Sequence, residues 1–285
     1  MIQRPDFNNS QRFQRQEPSA FPAFTPKTGP IPINGTSGND KIVVKPAKDG
    51  GVDVYVNGEK HHYNKEQAKR LVINAGAGND QVYVDPGVKQ GITINGGSGN
   101  DTIVGGSGND RINAGSGNDK VWGGAGNDRI YGGSGNDQIV AGSGNDYVDA
   151  GSGNDKVWGE SGNDTIKGGY GNDEIAAGSG NDYVDAGYGN DKVWGESGND
   201  HIDAGAGNDK VYAGSGNDVV HAGDGNDEVH GGSGNDFIDG QNGNDRLFGD
   251  AGNDHIHGGR GIDHLEGGPG LDLLQWQPGF PHIVR

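Results

Sequence analysis

A chain of 285 residues with only 29% hydrophobic content and 59 glycines has too few apolar side chains for a broad globular core. Low hydrophobicity joined to a formal charge of −18 ordinarily marks disorder. The same charge argues against nucleic acid or an anionic membrane as a partner and makes a cation the natural one. No run reaches the roughly 18 apolar residues of a membrane span. The absence of cysteine fits an oxidising extracellular setting without requiring one.

Residues 1–34 are rich in Gln, Pro, Ser and Asn, with Phe7, Phe13, Phe21 and Phe24 scattered among them. This composition predicts a disordered tail, serving as an export signal, a tether or neither. Met1 to Phe21 has no apolar stretch of the kind a Sec signal peptide carries, so export would need another route. Residues 35–95 read as an irregular, β-rich N-terminal cap. Ser37-Gly38-Asn39-Asp40 and Ala77-Gly78-Asn79-Asp80 share one loop signature, at a spacing that is not nine. Between them, Asn57-Gly58 separates two strand-like runs, Val52 to Val56 and Lys60 to Tyr63, and predicts a hairpin. Asn64 to Leu71 suits a short helix with Asn64 as N-cap and Gln67 closing a capping box. Val72 to Asn74, Gln81 to Asp85 and Ile92 to Asn95 read as strands.

From Gly96 to Gln275 the chain is twenty uninterrupted nonapeptides, the best of them G-G-S-G-N-D-x-(Ile/Val)-x. Disordered chains have no reason to keep such a period, whereas a short unit that cannot bury its own apolar face must stack on its neighbours. Ala141 to Ala176 recurs almost verbatim as Ala177 to Tyr212, so the array grew by copying blocks of four units. The eighth position is always aliphatic, from Ile103 to Leu274, between mostly polar neighbours. That pattern predicts a three-residue strand with one inward side chain. Glycine holds the fourth position of every unit, as turns with φ > 0 or close backbone approach require. Two units then make one coil of 18 residues, with two parallel sheets across an Ile/Val core. Ten coils rising about 4.8 Å each give a rod roughly 50 Å long. After Gln275 only residues 276–285 remain, with Trp276 and Phe280 placed to cap the end.

The sixth position is always aspartate: Asp101, Asp110, Asp119, Asp128, Asp137, Asp146, Asp155, Asp164, Asp173, Asp182, Asp191, Asp200, Asp209, Asp218, Asp227, Asp236, Asp245, Asp254, Asp263 and Asp272. Units two apart sit one above the other, so the carboxylates form two ladders. At about 5 Å, neighbours repel by nearly 1 kcal/mol even in water, and the ladders together rival the stability of a whole domain. A hard cation accepting six to eight oxygens relieves this; calcium suits such sites and magnesium does not. These nonapeptides resemble the RTX family, the hemolysin-type calcium-binding repeats. The resemblance implies a right-handed parallel β-roll with several calcium ions between coils and the twenty aspartates as side-chain ligands. It also implies a secreted protein that folds outside the cell. Glu160, Glu196, Gln241 and Asp250 replace the second glycine, and Ile262 and Leu271 replace asparagine in the last two units.

The ninth positions of alternate units include Trp122, Trp158, Trp194, Tyr212 and Phe248, an aromatic stripe on one outer face. Such a stripe stiffens the sheet or receives a partner: the tail, a second copy or a polysaccharide. On the other face Asp149, Lys167, Asp185 and Asp203 suggest a solvated surface, and His221, His255 and His257 could approach one another as a transition-metal site. The adjacent His61 and His62 point to opposite faces of a strand and lack a third ligand. No G-x-S-x-G, HExxH, Walker loop or cysteine nucleophile is present, so no catalytic residue is expected. The chain reads as a calcium-binding, adhesive or effector protein rather than an enzyme.

Overall fold

The computed structural model describes residues 29–276. The chain winds as a parallel β-solenoid of two facing sheets, one of 13 strands and one of 14. Strands β1 (Ile31–Asn34), β2 (Lys41–Pro46), β3 (Val52–Val56) and β4 (Glu59–Tyr63) precede helix α1 (Lys65–Ala68). Strands β5 (Leu71–Ala77), β6 (Gln81–Val84), β7 (Thr93–Ser98) and β8 (Thr102–Gly106) follow, and the remaining strands continue to Leu273–Gln275. In the repeats, successive strands alternate between the sheets, and each pairs in parallel with the strand 18 residues away, as Ile112 does with Ile130. Expected tail residues 1–28, and Phe280 with the rest of 277–285, lie outside the described residues.

The leading segment proves to be solenoid with an insertion. Strand β1, whose residues the composition assigns to the tail, pairs with β5, and Ile33 faces Ile73. Strand β2 pairs with β6, so the two lone loop signatures stand in stacked coils. The hairpin β3–β4 forms as its Asn57-Gly58 turn predicts and extends the larger sheet antiparallel to β2. It separates Asp40 from Asp80 and hides their periodicity. The capping box of α1 is present: Asn64 accepts from the backbones of Glu66 and Gln67, and Gln67 accepts from the Asn64 N–H at 3.0 Å. The helix stops at Ala68, short of the expected Leu71, because Leu71 is drawn into the sheet opposite Ile31 and buried.

Most repeat strands run six residues, not three. In Arg111–Ser116 both Ile112 and Ala114 are buried, so the strand continues through positions one to three of the next unit. Pairing passes over position one, joining Trp122 to Val140 and then Gly124 to Gly142. This break is a local kink that leaves the register unchanged, carried by a glycine with φ near +110° at position two. The Cβ that Gly124 lacks would stand 2.1 Å from the Gly106 carbonyl oxygen one coil away. Each coil therefore buries two aliphatic side chains and two small residues. The alternation carries back to a third inward group just ahead of every repeat strand, two residues before the aliphatic one: the aspartate.

Candidate metal centre

Because strand side chains alternate, residue six points inward with residues eight and one. The ladder aspartates up to Asp263 are accordingly buried: Asp101 is 1% exposed and Asp110 3%. In each, Oδ1 accepts the backbone N–H of the aspartate one coil earlier, as Asp173 does from Asp155 at 2.8 Å. One ladder runs through Asp40, Asp80 and Asp101, then every eighteenth residue to Asp263. The other begins where Asp110 accepts the Ile92 N–H and ends at Asp272. The asparagines at position five form an exposed ladder of opposite sense, with the Asn118 N–H donating to Asn100 Oδ1. Ile262 and Leu271 end it: each donates its N–H and has no side-chain oxygen to pass on.

The second carboxylate oxygen is the informative one. From Asp80 through Asp254 every ladder Oδ2 is buried with no protein hydrogen-bond partner. Position one, omitted from the pairing, brings a backbone oxygen beside it. The point at which a Gly96 side chain would begin lies 2.4 Å from the Ala114 carbonyl oxygen and 2.6 Å from Asp101 Oδ2. The same convergence recurs at Gly123, between Ala141 and Asp128, and at Gly168, between Ala186 and Asp173. Buried carboxylates with one oxygen left without a donor should be compensated by a cation, and an all-oxygen environment suits calcium rather than zinc or copper. The residues present fit calcium. No group of three or more His, Cys, Asp or Glu converges among the described residues, so backbone carbonyls would have to complete each ligand shell.

Burial governs the electrostatics more than repulsion between rungs does. It pushes the Asp128 carboxyl up to about 6 and the Asp110 carboxyl to about 8, against the lowering effect of the Oδ1 hydrogen bond. The charge of the neighbouring aspartate adds a smaller rise. Mutual repulsion between rungs is therefore the smaller of the two effects.

Asp40 is the exception. Burial raises it too, but the Thr36 N–H, the Asn57 side-chain amide and the Thr36 hydroxyl all donate to it, and together they hold it below the usual range. The protein itself supplies the counterpart at this terminal rung. Sequence reasoning set Asp40 and Asp80 aside because the hairpin and a longer loop break their spacing. The shared Gly-Asn-Asp signature was the signal that could have placed them in the ladder.

The four replacements at position two take the glycine conformation, with φ of 76° at Glu160, 72° at Glu196, 63° at Gln241 and 64° at Asp250. The aromatic stripe is one column on the outer face of the larger sheet, where Trp194, Tyr212, His230 and Phe248 stack at centroid distances of 6.2, 5.2 and 4.6 Å. On the opposite face Asp149, Lys167 and Asp185 stand in register. The histidines are engaged otherwise: His257 meets Asp239 at 3.0 Å, while His221 and His255 pack edge-on against Phe237.

Among comparisons with known proteins, the family profile of the RTX calcium-binding nonapeptide repeat matches segments running from residue 72 to residue 274. A search of curated proteins finds no match. Among solved structures, a hyperactive, Ca2+-dependent, β-helical antifreeze protein from an Antarctic bacterium is similar at 21% identity and a TM-score of 0.38. The match covers 90% of this chain and 81% of that one.

Proposed function

The chain belongs to the RTX calcium-binding nonapeptide repeat family, and we propose that its β-roll is a calcium-dependent fold whose side-chain ligands are the ladder aspartates. The observation that carries this is the unbroken row of buried, partnerless Oδ2 atoms from Asp80 to Asp254. Each stacked pair of rungs would share an ion, which neutralises carboxylates that burial otherwise forces toward protonation. Many ions per chain follow, as does a folding equilibrium set by external calcium. We place the working protein outside the cell, in keeping with the secretion typical of the family. No described helix is long and apolar enough to cross a membrane. The role is one of binding and structure, without catalysis.

Equilibrium dialysis of the full chain against calcium tests the reading. It expects well over five ions per chain taken up cooperatively, with magnesium unable to replace them. Binding of one or two ions, or equal uptake of magnesium, would contradict it.

A further inference from the structure

The Trp stripe is interrupted in a regular way. Along the outer face of the larger sheet, Trp122, Val140, Trp158, Ala176 and Trp194 succeed one another in register. Indoles thus stand two coils apart, about 10 Å, with a small residue between. Trp122 and Trp158 are 39% and 38% exposed. Beside Trp122 opens a groove of about 360 Å³, floored by Val140 and lined by Ser143, Glu160 and Ser161.

Glu160 is the telling residue. It occupies a backbone conformation that glycine adopts in most other repeats and that strains a residue bearing a side chain. In return a carboxylate is placed beside an indole platform and two hydroxyls. The arrangement recurs 36 residues on: Trp158, Ala176, Ser179, Glu196 and Ser197 hold the corresponding register, and Glu196 bears the same backbone strain. Glu196 is the copy of Glu160 in the duplicated block, so one arrangement is carried twice along the face.

We infer that this face is a binding site for a linear, uncharged polysaccharide, with at least two equivalent subsites along the roll. An indole face accepts the apolar side of a sugar ring, and a flanking carboxylate accepts hydrogen bonds from its hydroxyls. Subsites repeating along a straight rod match a ligand that itself repeats. Apart from the exposed Lys120 beside Trp122, the cations of the face are paired with carboxylates, which argues against an anionic polymer. Lys156 and Lys192 both pair with Glu174, Lys210 and Arg246 both reach Glu228, and the groove itself presents a carboxylate. This site lies outside the calcium ladders and needs only the folded roll.

The test titrates the calcium-loaded full chain with cellohexaose and with mannohexaose, read by tryptophan fluorescence and calorimetry, with hexagalacturonate as the anionic comparison. Saturable binding of a neutral hexasaccharide is expected. It should weaken about tenfold or more in Trp122→Ser/Trp158→Ser and in Glu160→Gly/Glu196→Gly. The second pair restores glycine where glycine is preferred, so its loss of binding could not come from misfolding. Failure of both neutral sugars to saturate at millimolar concentration would overturn the inference. So would tighter binding of hexagalacturonate, or unchanged binding in the glycine variants. Self-association through this face that the sugars do not disperse would overturn it as well. Because the chain is calcium-loaded and its fold is checked first, none of these outcomes bears on the ion reading.

Discussion

Removing calcium should invert the pH dependence of the fold. Burial raises Asp155, Asp173 and Asp191 to about 6 and Asp164, Asp200 and Asp209 to about 7, from an ordinary 3.8. A folded-state value above the unfolded one means that the stability these groups allow is complete below about 3.8 and is lost as pH climbs through 6 to 7. A rise from 3.8 to about 6 corresponds to roughly 3 kcal/mol per ionised carboxyl. Five such groups already equal or exceed the 5–15 kcal/mol that a domain commands. The metal-free chain is therefore expected to hold its β signal near pH 4 and to lose it by pH 7.5. With saturating calcium the trend reverses, since protons compete with the ion for the same oxygens. Urea unfolding of metal-depleted and calcium-loaded protein, followed by far-UV circular dichroism across that range, reads both arms. A metal-free chain that unfolds on acidification, or is equally folded at both ends, would refute the burial argument.

Asp173→Asn keeps the Oδ1 that accepts from Asp155 and removes the charge. It should stabilise the metal-free roll at neutral pH by up to about 3 kcal/mol, yet lower both the ion count and the stability of the calcium-loaded one, as calorimetry and urea melts would show. Asp40→Asn should leave the ion count unchanged, since Thr36 and Asn57 already serve that carboxylate. Gly171→Ala sets a Cβ 1.7 Å from the Gly153 carbonyl oxygen at a φ of +132°. It should cost about 3 kcal/mol or more, visible as a depressed melting midpoint with calcium bound. Ile175→Ala opens a cavity beneath two coils and should cost about 2–5 kcal/mol in the same melt.

The coil length, the two parallel sheets and every ladder residue from Asp101 onward were legible because a period of nine admits little else. What periodicity concealed was direction. Alternation counted from Ile112 puts Asp110 on the same inner face, yet a Gly-Asn-Asp sequence reads first as an exposed turn, so the burial that dominates its ionisation went unseen. Strand length was missed for a related reason. Glycine at position two signals a turn, whereas here it forms a kink after which pairing resumes in the same register. In the leading coils the hairpin from Val52 to Tyr63 breaks the spacing, so β1 and β2 join the sheets without a periodic cue. The groove at Trp122 depends on Glu160, 38 residues away, and only the register of stacked strands brings the two together.

The most direct test of the whole account is the conformation of the metal-depleted full chain at neutral pH, followed by circular dichroism and small-angle scattering as calcium is restored. An expanded chain that turns cooperatively into a rod as ions enter is the result expected. A rod already complete in the presence of chelator would contradict it.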